Sequence, residues 1–428
     1  MDSNFITKLQ INNVRNLHGL TIDLSTNERK NLILTGKNGS GKTSVLEAMR
    51  LYNAYRLKWD AEILKLGDNP LKNQFAAHDG EMVAVADEEV NDMLEEVFEK
   101  RSDEDLRQRV ESVSGISIEY NDLAKIREKY LAGEFILAYY PAEREYAVKS
   151  DTVTKQVDLQ DMYRISESPG LDFVEYMKNI VIKEHMYRYG NQQNTAKADT
   201  YKGKMERIKT ILQKIYASSH VALDFDIDSL TFKIEEPGKA PYDFNALPSG
   251  YAAILYIVLD LIMRMEKKIT STYDLEGIVM IDEVDAHLHL SMQRTILHNL
   301  TDLFPNIQFI VSTHSPFVLS SVSNAIVYDL EGRQRIDSKE GLSNLPYSGI
   351  VEGYFGVSEL SEKLKAKFER YKELAKKSSF SDDDYEELGT LESYLDEIPD
   401  FLALEIMADY RHIRAEIEAR EEERMANG

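Results

Sequence analysis

Eight consecutive residues, Gly36-Lys37-Asn38-Gly39-Ser40-Gly41-Lys42-Thr43, constrain this chain more than any other stretch. They follow the pattern G-x-x-x-x-G-K-[ST], whose parts do separate jobs. The glycines let backbone N–H groups curl around phosphate oxygens, the lysine reaches the β- and γ-phosphates, and the threonine hydroxyl is a ligand for Mg²⁺. A loop of this kind needs a buried strand before it and a helix after it. Residues 31–35 (Asn-Leu-Ile-Leu-Thr) read as the strand, and Val45, Leu46, Met49 and Tyr52 fall on one face of the helix. Phosphate then lies at a helix N-terminus, where free N–H groups and the helix dipole favour an anion.

A second half for such a site lies more than two hundred residues downstream. Ile278-Val-Met-Ile-Asp-Glu283 is an apolar strand ending in two adjacent carboxylates. Asp282 suits a water-mediated hold on Mg²⁺, and Glu283 suits a base that orients an attacking water. The next apolar strand, over 307–313, runs into Ser312-Thr313-His314-Ser315-Pro316, where a histidine can hydrogen-bond a γ-phosphate or the water. With a helix over 290–303 between them, these two strands form a βαβ crossover and are expected to be parallel. Leu247-Pro248-Ser249-Gly250 precedes a helix over 250–266 and offers a hydroxyl and N–H groups to an anion. His287-Leu-His289 has no third ligand of suitable spacing, so a zinc site is not expected.

At 428 residues the chain has room for two or three folding units. It has no cysteine, and its first residues lack the regions of a signal peptide, which together suggest the cytoplasm. The longest apolar stretch, Tyr251 to Met265, is interrupted by Asp260 and Arg264 and is too short to span a bilayer. A formal charge of −23 argues against a surface built mainly to grip nucleic acid. Residues 183–214 are the basic exception, with Lys183, Arg188, Lys197, Lys202, Lys204, Arg207, Lys209 and Lys214 interleaved with Tyr187, Tyr189 and Tyr201. Stacking plus charge suits single-stranded nucleic acid, and the same pattern also suits a solvated helix face.

The rest of the chain is less regular. Strands are expected over 5–12, 19–24, 115–120 and 134–140, an acidic helix over 87–113, and a polar loop over 190–200. Helices are expected over 358–377, 383–397 and 400–424, the last carrying a stripe of Ile406, Tyr410, Ile413 and Ile417. That stripe fits packing against its own neighbours, or a groove for a partner.

Taken together, Gly36–Thr43, Leu247–Gly250, Ile278–Glu283, Asp285-Ala-His-Leu-His289 and Ser312–Pro316 resemble the ABC-type ATPases of the SMC/RecF class. The Asp-Glu-Val-Asp-Ala-His-Leu-His run and Thr-His-Ser-Pro are most similar to compact members tied to overcoming-lysogenisation (OLD) and anti-phage systems. The resemblance covers about 1–50 and 245–330. It implies an α/β fold: a two-lobed ABC-type head with a mixed β-sheet, a helical insertion and a C-terminal helical appendage. The expected division is 1–60 (lobe I), 61–240 (a mostly helical insertion with returning lobe I strands), 241–335 (lobe II) and 336–428 (C-terminal helices).

In such families two heads sandwich two ATP molecules. The resemblance implies that Ser249 and Gly250 touch the γ-phosphate in trans, that Asp285 lines the seam, and that Arg15, in Ile11-Asn-Asn-Val-Arg-Asn16, lies near the nucleotide. Glu283 would be the catalytic carboxylate and His314 the switch histidine. The implied ATP-binding set is Arg15, Gly36, Asn38, Gly39, Ser40, Gly41, Lys42, Thr43, Ser44, Ser249, Gly250 and Asp285. Thr43 and Asp282 would hold Mg²⁺, with Gln74 the candidate for the family's nucleotide-sensing glutamine. The chain departs from the family at Pro248, where Ser or Gly is usual, and at Tyr251, which replaces Glu or Gln; both departures imply slow turnover.

Longer relatives carry a nuclease domain. Here the cluster Asp382-Asp383-Asp384 sits in a polar helical region, so the chain is expected to control a separate effector, a nuclease or toxin. The tail and Tyr347–Gly356 are faintly similar to ATPases of Septu-, retron- and PARIS-type defence, with the C-terminal helices the expected docking element for the effector. Three uses compete: a phage-sensing regulator, a RecF-like repair factor driven by DNA, and a scaffold with ATP as a structural ligand. The acidic charge and the missing coiled-coil arm favour the first.

Overall fold

The computed structural model describes residues 3–57, 103–144, 155–191, 193–268, 272–337, 362–377, 380–396, 398 and 404–427. Gln74 and most of the acidic helix expected over 87–113 lie outside them. The chain divides into two compact units, Met1–Asn344 and Leu345–Gly428.

The first unit opens with strands β1 (Ile6–Val14) and β2 (Leu17–Asp23), then β3 (Asn31–Thr35), whose five residues are all buried. Helix α1 (Lys42–Leu57) starts at the end of the glycine loop. After it come α2 (Asp103–Ser114), β4 (Ile116–Tyr120), α3 (Leu123–Leu131) and β5 (Phe135–Tyr140). A helical hairpin follows, α4 (Phe173–Tyr189) and α5 (Thr195–Ile215), then a small sheet of β6 (Ala222–Asp226), β7 (Thr231–Glu235) and β8 (Tyr242–Asp243). Helix α6 (Ser249–Met265) leads to β9 (Glu276–Ile281), the short α7 (Leu290–Gln293), α8 (Ile296–Leu303) and β10 (Ile307–Ser312). The unit closes with α9 (Pro316–Leu319), β11 (Ala325–Asp329) and β12 (Gln334–Asp337).

Two larger sheets stand beside the small one of β6–β8. One is antiparallel, in the order β2-β1-β4; the other is mixed, in the order β12-β11-β3-β10-β9-β5. In the second, β11, β3, β10, β9 and β5 run parallel, and only β12 is antiparallel. Strands buried on both faces read as near-continuous apolar runs, as β5 does throughout and β3 and β10 do at their centres. Helix α1 lies between the sheets: Val45, Leu46, Met49 and Tyr52 share one core with Ile6, Leu9 and Ile11 and with Leu32, Leu34, Ile278 and Met280. Loops after parallel strands of an open sheet gather at its C-terminal edge, the usual place for a ligand. The loops after β3, β9 and β10 are the ones singled out above.

Two expectations are corrected, and several elements are new. The polar loop over 190–200 ends sooner, because the Asn194 side chain accepts from the Lys197 N–H at 3.0 Å and caps α5. The helix over 290–303 breaks at Thr295, where the Gln293 amide instead donates to the Leu288 carbonyl and accepts from the Ser315 hydroxyl. Helix α3, with Asp122 as its N-cap, and the strands β6–β8, β11 and β12 were not expected.

The second unit contains α10 (Glu362–Ala375), α11 (Asp382–Asp396) and α12 (Leu404–Asn427). Phe368, Tyr371, Leu374, Leu388, Leu391, Leu395, Tyr410 and Ile417 form its core, with Ile413 packed alongside. The stripe on α12 is therefore internal packing at these three positions; Ile406 carries no described side chain. Asp382, Asp383 and Asp384 form the first turn of α11, where carboxylates complement the helix dipole. Asp384, half-buried, has its pKa lowered to about 2 by Lys377 and by the Ser381 N–H. Among the described residues, no helix is long and apolar enough to cross a membrane.

Candidate active site

The glycine loop is shaped by its backbone. Gly36 (φ +133°), Gly39 (φ +82°) and Gly41 (φ +99°) occupy the left-handed region, which side chains rarely tolerate. Space is short as well: a Cβ on Gly36 would lie 2.8 Å from Ser40 Oγ, and one on Gly41 2.8 Å from Leu17 Cδ1. The second contact brings the β1–β2 turn, with Arg15 exposed at φ +53°, against the loop. Lys42 is buried, and its Nζ donates to the carbonyls of Gly36 (2.8 Å) and Lys37 (3.1 Å). Thr43 and Asn38 are exposed, Ser44 is half-buried, and Ser40 is buried.

The strands beside β3 supply the acids. Asp282, 1% exposed, follows β9; its N–H donates to the Tyr140 carbonyl and its Oδ1 accepts from Ser312 Oγ. Glu283 is half-buried and stands at φ +45°, an uncommon backbone conformation for a residue with a side chain. Asp285 accepts from Thr313 Oγ1 at 2.5 Å, which ties the turn after β9 to the end of β10.

Electrostatics join these pieces. Burial lowers the pKa of the Lys42 ammonium, and the charges of Glu283, Asp282, Asp285 and Asp329 oppose that shift. Burial, then the charge of Lys42, pulls the His314 imidazole below its ordinary value, against Asp285, Glu283 and Asp282. His314 is thus neutral at pH 7 and shares one field with the loop lysine and the three carboxylates. The oxygen donors of Thr43 and Asp282 are hard ligands of the kind Mg²⁺ takes, so this donor set fits that ion.

Ser249 and Gly250 lie elsewhere in the same chain. They open α6 behind Pro248, which provides no side-chain cap, and Ser249 is exposed. A Cβ on Gly250 would sit 3.3 Å from the His287 carbonyl, so this turn packs on the segment after Asp285. Tyr251 stacks on Tyr216 with ring centroids 4.0 Å apart, an apolar anchor in place of the family's Glu or Gln.

Much of the basic segment is engaged internally. Arg188 pairs with Glu184 and Asp199, Lys204 with the buried Glu266 at 2.8 Å, and Tyr187 stacks on Tyr201. Lys202 and Lys214 remain exposed.

Two residues of the site escaped the sequence reading. Asp329, at the end of β11, faces Gly36, and Arg144, four residues after β5, donates to the carbonyls of Asp282 and Glu283. The signal for Arg144 is slight: an apolar strand ending at Tyr140, just before Pro141, on the C-terminal edge of a parallel sheet.

Residues 32–320 match the family model described as "AAA domain, putative AbiEii toxin, Type IV TA system". The chain belongs to this family. It carries the AAA ATPase domain of that family and is similar to proteins of retron and Septu systems. It is 25% identical to the retron Vc95 probable ATPase of Vibrio cholerae serotype O1 biovar El Tor, over 80% of this chain and 76% of that protein. It is 22% identical to the Septu protein PtuA of Bacillus mycoides (strain KBAB4), over 91% of this chain but only 50% of that protein. A crystal structure of an SmcHead bound to the C-winged helix domain of ScpA aligns with 76% of this chain and 93% of its own, at 15% identity and a TM-score of 0.38, too loose to build on.

Proposed function

We propose that this ATPase is the sensor or regulator subunit of a bacterial anti-phage system and controls a separate nuclease or toxin. The observation that carries the catalytic part is the convergence of Lys42, His314, Asp282 and Glu283 at the ends of β3, β10 and β9. The defence role rests on the kinship with retron and Septu ATPases. In this reading the N–H groups of Gly36–Thr43 and the Lys42 ammonium hold the phosphates of ATP. Thr43 and Asp282 hold Mg²⁺, which neutralises phosphate charge when bound. Glu283 orients the attacking water, and neutral His314 hydrogen-bonds the γ-phosphate or that water. Two heads close on ATP, with Ser249, Gly250 and Asp285 at the seam, and reopen after hydrolysis. The lobes comprise 1–60 and 241–335, the insertion 61–240, and the C-terminal helices 336–428 offer the effector a surface.

The test is Glu283→Gln. ATP binding should persist, hydrolysis should fall about 10²–10⁴-fold, and ATP should drive a mass increase visible by light scattering. A variant that hydrolyses ATP like the parent refutes the role of Glu283. Unchanged mass on adding ATP refutes the sandwich. DNA stimulation with a steep salt dependence favours the repair reading instead.

A further inference from the structure

The backbone around Glu283 is gripped from two sides. From β10, Ser312 takes both flanking N–H groups: Glu283 N–H donates to Ser312 Oγ at 2.7 Å, and Val284 N–H to the Ser312 carbonyl at 3.0 Å. From beyond β5, Arg144 takes both carbonyls: Nη1 donates to Asp282 O at 2.6 Å and Nη2 to Glu283 O at 2.9 Å. Nη1 also donates to Pro141 O at 2.8 Å, and the Glu283 carbonyl additionally accepts from Ala286 N–H. Arg144 is 8% exposed, and its buried Nε has no partner among the described residues.

Such a grip has a physical purpose. At φ +45° Glu283 stands in a conformation that costs a residue with a Cβ free energy and persists only where its surroundings impose it. Were the peptide on either side to relax, the side chain would swing away from the site. The charge of Arg144 also acts on Asp282, Asp285 and Glu283, while burial lowers its own pKa.

We propose that Arg144 is a positioning residue for Glu283: its guanidinium fork fixes the two carbonyls that set the direction of the catalytic carboxylate. The proposal rests on the reading that Glu283 orients the attacking water. The planar fork presents donors from two nitrogens in a fixed geometry, which the single, freely rotating ammonium of a lysine does not reproduce. Displacing a catalytic group by an ångström can cost about 10²-fold in rate.

The experiment compares Arg144→Lys and Arg144→Gln with the parent by equilibrium ATP binding, single-turnover hydrolysis and thermal melting. Expected are a fall in the hydrolysis rate of about 10–100-fold, ATP affinity within about threefold, and little further loss when Arg144→Lys is added to Glu283→Gln. A parent without ATPase activity, or a fully active Glu283→Gln variant, defeats the underlying reading whatever Arg144 does. With the parent active and Glu283→Gln impaired, full rates in both Arg144 variants overturn the positioning role. So does an equal loss in the Glu283→Gln background, or weakened ATP binding at an unchanged rate. Failure of both Arg144 variants to fold likewise overturns it and reassigns Arg144 to the fold.

Discussion

Asp260→Ala tests whether the helix that opens at Ser249 is bolted to the sheet by charge. Asp260 and Arg264 lie one turn apart on α6 with side chains 1% and 2% exposed, and Arg264 Nε donates to Asp260 Oδ2 at 2.7 Å. The carboxylate also accepts from Tyr140 Oη at 2.8 Å and from Gly170 N–H at 2.9 Å. Removing one partner of a buried pair costs about 3–5 kcal/mol, because the other charge stays buried. Here the loss belongs near the lower end, since Arg264 keeps the carbonyls of Arg164, Glu167 and Leu137. The orphaned Tyr140 hydroxyl and Gly170 N–H add about 1–3 kcal/mol each when unpaired, an effect that overlaps with the first. A total of about 4–6 kcal/mol follows. Melting entropy scales at about 2 cal/mol/K per residue, roughly 0.7 kcal/mol/K for a unit spanning Met1–Asn344, so the melting temperature should fall about 6–9 °C. Differential scanning calorimetry reads this directly. The double variant Asp260→Leu with Arg264→Met should recover only the part owed to the stranded Arg264 charge, since the Tyr140 hydroxyl and the Gly170 N–H stay unpaired. A shift below about 2 °C, or a double variant no better than the single, refutes the reasoning.

Two further outcomes concern the site itself. His314 is held below its ordinary pKa of 6.5, so the unfolded chain takes up a proton there before the folded chain does, and stability is lost as pH falls below about 6.5. Melting temperatures between pH 7.5 and 5.5 should fall less steeply in His314→Gln than in the parent; parallel slopes would contradict the assignment. Chelating Mg²⁺ should weaken ATP binding at least about tenfold, because Lys42 already faces four carboxylates and a triphosphate brings more negative charge. Equal affinities in EDTA and in Mg²⁺ would remove Thr43 and Asp282 from the proposed metal set.

The parts legible in the sequence are those whose chemistry is local. Gly36–Thr43 carries its own strand, turn and helix, and Asp282-Glu283 and His314 end apolar runs that could only be buried strands; all three follow adjacent strands of one sheet. Local signals were also overlooked, as with Asn194 and Asp122, caps in plain view. What could not be read is pairing across the chain. Nothing near Arg144 in sequence indicates that β5 will lie beside β9, yet that neighbour relation alone brings its guanidinium to Asp282 and Glu283. Asp260 and Arg264 make the same point from the other side. In the sequence they merely interrupt an apolar stretch, and their meaning appears only once α6 packs on β5. Asp260 then holds Tyr140 by its hydroxyl, while the carbonyl of Tyr140 accepts from the N–H of Asp282. A charged pair inside an apolar helix thereby connects the helix that begins at Ser249 to the strand end that carries the acids, three residues from distant parts of the chain in one hydrogen-bonded line.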